Sequence, residues 1–153
     1  MQYLRELGIT QDTAPLELNR KELFRRGRPE SELIVYGRLP LMITVQCLQA
    51  NTEGCTHAFA RTRLTDRMGM KFTVGCDCVF CYNIILNSVP LNLLSEFGDI
   101  KRMGFRRVRL SFTTENAART KQILDSAAAA KAMKPAAAFG DNYTKGHYLR
   151  GVE

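Results

Sequence analysis

The residues best suited to chemistry are a cluster of cysteines in the middle of the chain. All five cysteines of the 153 residues lie between Cys47 and Cys81, and three of them fall within "CDCVFC". Cys78 and Cys81 are separated by two residues, a spacing at which two thiolates hold one metal ion or cluster. Cys47 and Cys55 lie upstream and complete a set of four sulfur ligands. The spacing predicts a four-thiolate site, with Cys76 as a spare thiol that could replace Cys78.

Spacing alone does not choose the occupant of this site. Tetrahedral sulfur ligation suits both zinc and an iron–sulfur cluster. The apolar neighbours "VF" and "YNIIL" would shield a cluster, and a zinc ribbon would tolerate them equally well. The alternative without a metal is a set of small buried residues with one or two reactive thiols. A thioredoxin-like redox pair is disfavoured, because the Cys-x-x-Cys follows a predicted hairpin rather than a strand that runs into a helix.

The composition is that of an ordinary globular chain with an excess of positive charge. Its net charge is +7, with 45% hydrophobic and 24% charged residues. No segment approaches the roughly 20 apolar residues of a membrane span, and the N-terminus lacks a signal-peptide pattern. We therefore expect no membrane contact and a cytoplasmic location, where thiols stay reduced. Two basic runs, Arg20–Arg28 and Lys101–Arg109, are interpreted either as solvated faces or as contacts to an anion such as RNA.

Strand and helix patterns alternate along the chain, and the cysteine-rich part interrupts them. Segments 14–19 and 106–112 are predicted to be strands, and a bend near Gly37 to Pro40 interrupts a long strand. Leu91 to Met103 is predicted to be a helix, and Thr114 is expected to cap the next one. We expect one segment, in which residues 1–46 form a βα unit and long strand, 47–81 a cysteine-rich loop and hairpin excursion, 82–134 a helix–strand–helix and 135–153 an extended tail. This order is typical of parallel βα units, either as a small open α/β sheet or as part of something larger.

Several ordered motifs extend over nearly the whole chain, from about Leu16 to Glu153. They include "LELNRKEL", "VYGRLPLMITVQC", "LTDRMGMKF", "CVFCYNIILNSVPLNLL", "RLSFTTE" and "TKGHYLRGVE". Together they resemble the collagenase-like peptidase family, family thirty-two of the unassigned mechanism class (U thirty-two), and in particular its long bacterial branch. The resemblance implies that this α/β chain is the C-terminal part of a TIM-like barrel, a fragment whose partner is the rest of its own barrel.

The resemblance also implies an occupant and a reaction. In the hydroxylase members of the family, four cysteines hold a [4Fe–4S] cluster that supports oxygen-independent hydroxylation of an RNA base or a quinone precursor. By motif position the ligands would be Cys47, Cys55, Cys78 and Cys81, which favours the cluster over zinc and leaves Cys76 outside the pattern. The expected function is therefore hydroxylation of an RNA base or a small aromatic substrate, by an enzyme of which this chain is one part.

The strand "RRVRLSF" predicts a second candidate site within such a barrel. Its apolar residues alternate with Arg107, Arg109 and Ser111. If the apolar side packs on helices, the two arginines face the lumen and would bind an anion, such as a phosphate or a carboxylated small molecule. The family's hydroxylases are associated with prephenate, a dicarboxylate. The alternative is an edge strand with a solvated arginine face, and Glu115 is either a helix N-terminal charge or a site residue.

Two other functions stay open. The family name implies proteolysis, although the sequence contains no GxSxG or HExxH motif and offers only His57 and His147 as imidazole bases. No nucleophile, base and orienting residue can be assembled from it, so catalytic residues stay unassigned. The other alternative is a zinc-stapled, arginine-rich nucleic-acid-binding module without catalysis.

Overall fold

The chain forms a mixed α/β structure with two sheets, as the alternating patterns predict. The structure is a computed structural model, and it describes residues 2–26, 28–52, 54–55, 57–134 and 142–151. Two compact units divide the chain. The helix-rich unit comprises Met1–Gly37 and Leu91–Glu153, and the cysteine unit comprises Arg38–Pro90.

The helices and strands are short, with one longer helix near the end of the chain. In chain order the α-helices are α1 (Gln2–Glu6), α2 (Arg20–Arg26), α3 (Leu48–Thr52), α4 (Phe97–Arg102) and α5 (Ala117–Lys131). The strands are β1 (Glu32–Gly37), β2 (Pro40–Thr44), β3 (Ala60–Thr65), β4 (Lys71–Asp77), β5 (Tyr82–Leu86), β6 (Leu91–Asn92) and β7 (Arg107–Ser111). A 3-10 helix, Leu94–Glu96, leads directly into α4.

The sheet of the helix-rich unit has the order β6–β1–β7. Strand β1 pairs in parallel with β7, while β6 pairs antiparallel with β1. Val35 of β1, Ile100 of α4 and Ile123 of α5 are almost fully buried, at 0%, 1% and 0% exposure. Since burial of each such side chain contributes roughly 1.5–3 kcal/mol, these residues form part of the core of this unit.

The carboxyl ends of β1 and β7 approach so closely that a glycine is required. Gly37 lies opposite Ser111 and has a φ of +139°. A Cβ at this position would lie 2.4 Å from the Ser111 carbonyl oxygen. The parallel pairing therefore depends on the missing side chain at Gly37.

Asparagine side chains cap the N-termini of α2 and α5 in the helix-rich unit. The Oδ1 of Asn19 accepts hydrogen bonds from the amides of Lys21 and Glu22, at 2.9 and 3.1 Å, and the Glu22 carboxylate accepts the Asn19 amide in return. This reciprocal arrangement is a capping box. Helix α5 is capped by Asn116, so the prediction that Thr114 caps it is wrong. Asn116 accepts the Arg119 amide, the N3 position that a capping side chain reaches.

The sheet of the cysteine unit is antiparallel, with the order β2–β5–β4–β3. The hairpin predicted between β3 and β4 is present, with its turn at Arg67 and Met68. Asp66 shapes this turn, because its carboxylate accepts the amides of Met68 and Met70 at 2.8 and 2.9 Å. This local bonding accounts for Asp66 without a catalytic role.

The structure corrects several of the predicted elements. The helix predicted from Leu91 to Met103 divides into β6, the 3-10 helix and α4, because Leu91 and Asn92 pair with β1. The strand predicted over 14–19 is absent there, and an isolated bridge joins Thr13 to Glu32 instead. Much of the tail predicted to be extended lies outside the described residues, and residues 146–150 form turns around a buried Tyr148.

The bend predicted near Gly37 to Pro40 is confirmed, because β1 and β2 belong to different sheets. Strand β7 is the outer strand of its sheet. A TIM-like barrel around these strands stays a prediction. In the part of the chain that the structure describes, no helix has the length and apolar character needed to cross a membrane.

The close approach at Gly37 generates a stability prediction. We expect Gly37→Ala to lower the unfolding free energy by about 3 kcal/mol or more, because the new Cβ meets the Ser111 carbonyl and the backbone has a positive φ. Gly8→Ala is the matched control: Gly8 also has a positive φ, of +76°, but no atom lies within 4 Å of its Cβ position. The control should cost about 1–2 kcal/mol. Urea unfolding measures both, and equal losses would contradict the assigned contact.

Candidate functional site

The register of the cysteine unit places all five cysteines at one end of its sheet. Thr44 at the end of β2 lies opposite Asn83 of β5, Asn83 lies opposite Cys76 of β4, and Cys76 lies opposite Ala60 at the start of β3. Four strand ends therefore coincide. Around them, Cys47 follows β2, Cys55 precedes β3, Cys76 lies in β4, and Cys78 and Cys81 lie in the connection from β4 to β5.

Cys78 and Cys81 occupy the ends of a tight hairpin turn. Asp77 pairs with Tyr82, so the connection consists of residues 78–81 alone. The Asp77 carboxylate accepts the amides of Val79 and Phe80 at 3.0 and 3.2 Å, which bends the chain immediately after β4. Cys81 has a φ of +53°. The turn thus carries both cysteines on four consecutive residues.

Polar contacts attach the other cysteine segments to this end of the sheet. The Asn83 side-chain amide donates to the Gln46 carbonyl at 2.7 Å, one residue before Cys47. The Cys47 sulfur accepts the Ala50 amide at 3.4 Å, at the start of α3. The Cys78 thiol donates to the Ala58 carbonyl at 3.0 Å, in the segment between Cys55 and β3. Each cysteine-bearing segment is therefore tied to the same strand ends.

The thiols at this end influence one another electrostatically. Burial raises the pKa of the Cys78 thiol, and the nearby thiols of Cys55, Cys47, Cys76 and Cys81 raise it further. Burial likewise raises the pKa of Cys76, with a further contribution from Cys47. Thiolates repel one another in this way only when they lie close together. A cation bound among them would instead lower the pKa values of the thiols.

The cysteines supply sulfur donors of the kind that a metal or cluster takes, but their side chains do not converge in this structure. Among the described residues, no three His, Cys, Asp or Glu side chains form a group that could hold a metal ion. Cys55 and Cys81 are exposed, whereas Cys47 and Cys78 are half-buried. Metal binding would therefore require these side chains to rearrange. The buried Oδ1 of Asn83 accepts no hydrogen bond from the described residues, which leaves an unsatisfied acceptor beside the cysteines.

Both arginines of the predicted site line one small cavity, which the carboxylates of Asp12, Glu30 and Glu32 also line. Arg109 forms an ion pair with Glu32, which also accepts the Thr13 hydroxyl at 2.7 Å. An internal carboxylate therefore supplies the anion for Arg109. Arg107 also lines a second cavity with other cations and forms no ion pair with the described residues.

A half-buried polar cluster around Tyr36 and Glu115 lies at the carboxyl ends of β1 and β7. The Tyr36 hydroxyl donates to the Glu115 carboxylate at 3.1 Å, and the Thr113 and Thr114 amides donate to its other oxygen at 2.7 and 3.0 Å. Burial, followed by the Glu115 charge, raises the pKa of Tyr36 to about 12. For Glu115, burial opposes ionisation, but the backbone hydrogen bonds prevail and lower the pKa of the carboxyl.

Ligands commonly bind outside the carboxyl ends of parallel strands, which makes this cluster a candidate site. The signal available in the sequence was Glu115 immediately after the predicted strand. Tyr36 carried no signal, because a tyrosine in an apolar strand looks like core.

The candidate peptidase residues acquire local roles. The Nδ1 of His147 lies 3.0 Å from the Gly151 carbonyl oxygen within one turn. His57 is exposed, with a φ of +52°. Within the described residues, neither histidine hydrogen-bonds to a serine, cysteine or carboxylate side chain, so the structure adds no proteolytic set.

Comparisons of the chain with protein-family models, with curated proteins and with solved structures find no match. The resemblance to the collagenase-like peptidase family therefore stays a prediction. The positions of the cysteines and of Glu115 described above rest on the structure of this chain alone.

The Tyr36–Glu115 bond generates a pH prediction. The folded pKa of Tyr36, about 12, exceeds the ordinary tyrosine pKa of about 10, so its contribution to stability is complete below pH 10 and is lost as the pH rises toward 12. We expect Tyr36→Phe to lower the unfolding free energy at neutral pH by about 1–2 kcal/mol and to flatten its decline between those pH values. Tyr148, whose pKa burial also raises to about 12, keeps part of the slope.

Denaturant unfolding across this pH range measures the effect. Tyr3→Phe is the control, since Tyr3 is 68% exposed and its variant should retain the full slope. A Tyr36→Phe slope equal to that of the unmodified protein would contradict the assigned bond.

Proposed function

We propose that the cysteine unit binds a [4Fe–4S] cluster through Cys47, Cys55, Cys78 and Cys81. As part of a TIM-like barrel, the chain would support oxygen-independent hydroxylation of an RNA base or a small aromatic substrate. The observation that carries the proposal is the strand register, which brings these cysteines to one end of a single antiparallel sheet. Thiolates are the ligands that iron–sulfur clusters take in proteins.

The chain's own residues would fix the ligands and limit the access of water. Asp77 holds the turn that carries Cys78 and Cys81, and Asn83 holds the segment that carries Cys47. Val79 and Phe80, between the two turn cysteines, are 83% and 76% exposed. Apolar groups beside a cluster lower the local dielectric and so influence its reduction potential. The bound cluster would supply one-electron transfer.

The barrel part of the proposal is supported by the helix-rich unit. Parallel strands β1 and β7 are the pairing that a TIM-like barrel uses, and α5 follows β7 as a helix follows each barrel strand. The outer position of β7 leaves an edge at which a further strand of such a barrel could pair. The hydroxylation part rests on the resemblance carried by the sequence motifs.

Metal analysis tests the site directly. We expect protein purified without oxygen to contain iron and acid-labile sulfide in equal amounts, with the absorption of an iron–sulfur cluster. Cys78→Ser should abolish both, because it removes a ligand from the turn, whereas Cys76→Ser should retain both. Cys76→Ser is the matched control: it makes the same atom change two residues away, at a cysteine outside the ligand set.

Circular dichroism should show that both variants fold, since Cys76 is only 1% exposed and its substitution affects the core. If the protein contains zinc without sulfide, the cluster assignment is wrong and the zinc-stapled nucleic-acid-binding alternative is favoured. Absence of metal, together with proteolytic activity that survives replacement of all four ligands, would favour the peptidase alternative.

A further inference from the structure

A cavity of about 560 Å³ opens in the helix-rich unit where the parallel strands begin. Glu32 and Arg107, the first residues of β1 and β7, lie opposite each other and both line it. Helix α4 forms one wall. Gly104, with a φ of +85°, turns the chain so that the start of β7 returns along the same cavity. Volumes of this size are typical of small-molecule sites.

The floor of the cavity is apolar and partly aromatic. Phe97, Ile100, Phe105 and Val108 line it. Phe97 and Ile100 are three residues apart and so share one face of α4. Both phenylalanines are half-buried, which leaves part of each ring accessible from the cavity. Such rings offer a surface on which a planar ligand can stack.

Four cations surround this floor. They are Lys101, Arg106, Arg107 and Lys131. Among the described residues, none of them forms an ion pair; the ion pairs of this unit involve other lysines and arginines. The one carboxylate at the cavity, Glu32, is already paired with Arg109 and hydrogen-bonded to Thr13. The cavity therefore has four cations and one carboxylate, and that carboxylate already has Arg109 and Thr13 as partners.

Helix ends explain only part of this charge. Lys101 and Lys131 stand in the last turns of α4 and α5, where cations complement the helix dipole. Arg106 and Arg107 precede and begin a strand, so no dipole accounts for them. An apolar element packed over the cavity would leave all four charges buried without partners, which is costly. An anionic occupant removes that cost.

We propose that this cavity binds an aromatic phosphate of mononucleotide size. The planar base would lie on the phenylalanines, and the phosphate would be held by Arg107 with Lys131 and the neighbouring cations. A guanidinium can donate two parallel hydrogen bonds to phosphate oxygens, and the neighbouring cations suit a phosphate monoester or diester. This inference does not rest on the cysteine site, and metal content does not bear on it.

Calorimetric titration of the full chain with adenosine 5′-monophosphate tests the proposal, with adenosine as the uncharged ligand. We expect the monophosphate to bind at least about tenfold more tightly than adenosine, because only it reaches the cations. Arg107→Ala and Lys131→Ala should each weaken its binding by about tenfold. Phe105→Leu should weaken both ligands equally, because it removes the stacking surface and leaves the charges.

Lys121→Ala is the matched control for Lys131→Ala. Both lysines belong to α5 and both substitutions remove one positive charge, but Lys121 pairs with Asp125 and does not line the cavity. The control should bind the monophosphate as the unmodified protein does. Equal affinity for the two ligands, no binding at millimolar concentration, or equal losses in the two lysine variants would overturn the proposal.

A single-stranded oligoadenylate distinguishes the two sources of this chemistry. If it displaces the monophosphate with higher affinity and is weakened by Arg107→Ala, the site takes a nucleotide within an RNA strand. If it fails to displace the monophosphate, the site takes free nucleotide. Both results support an aromatic phosphate as the ligand.

Discussion

The buried side chain of Asn83 is the constraint on which the cysteine end of the molecule depends. Asn83 lies opposite both Cys76 and Thr44, and its amide holds the Gln46 carbonyl at 2.7 Å. Asn83 is only 1% exposed, so its amide donor needs a partner within the protein, which the Gln46 carbonyl supplies. Its bond to Gln46 therefore fixes where the chain leaves β2 and where Cys47 stands. The register of β2, β5 and β4 then brings the β4–β5 turn to the same place.

In the helix-rich unit, two carboxylates each form ion pairs with two arginines. Asp12 pairs with Arg26 and Arg28, and Asp99 pairs with Arg20 and Arg102. The basic run Arg20–Arg28 is therefore largely engaged within the fold. In the run Lys101–Arg109, Arg102 and Arg109 also have acidic partners, but Lys101, Arg106 and Arg107 border the cavity and form no ion pair among the described residues. Two runs that look equivalent in sequence thus have different surroundings.

The sequence pattern predicted those elements for which neighbouring residues alone decide the structure. The alternation in "RRVRLSF" predicted β7, and Pro40 with Gly37 predicted the break between β1 and β2. The predicted helix from Leu91 to Met103 failed at its start, because Leu91 and Asn92 are pulled into the sheet by pairing with β1. The cap of α5 was misplaced by two residues, since Asn116 and Thr114 are both capping residue types and only the backbone decides between them.

The sequence by itself determined the donor chemistry: five thiols within 35 residues, a Cys-x-x-Cys pair and a marked excess of arginine. These are properties of residue type and spacing, which need no long-range contact. Only the tertiary structure decided that the five thiols share one end of a sheet, that Arg109 is neutralised by Glu32, and that Tyr36 meets Glu115. Tyr36 and Glu115 are 79 residues apart in the chain. Contacts at such separations depend on strand register, which no local pattern encodes.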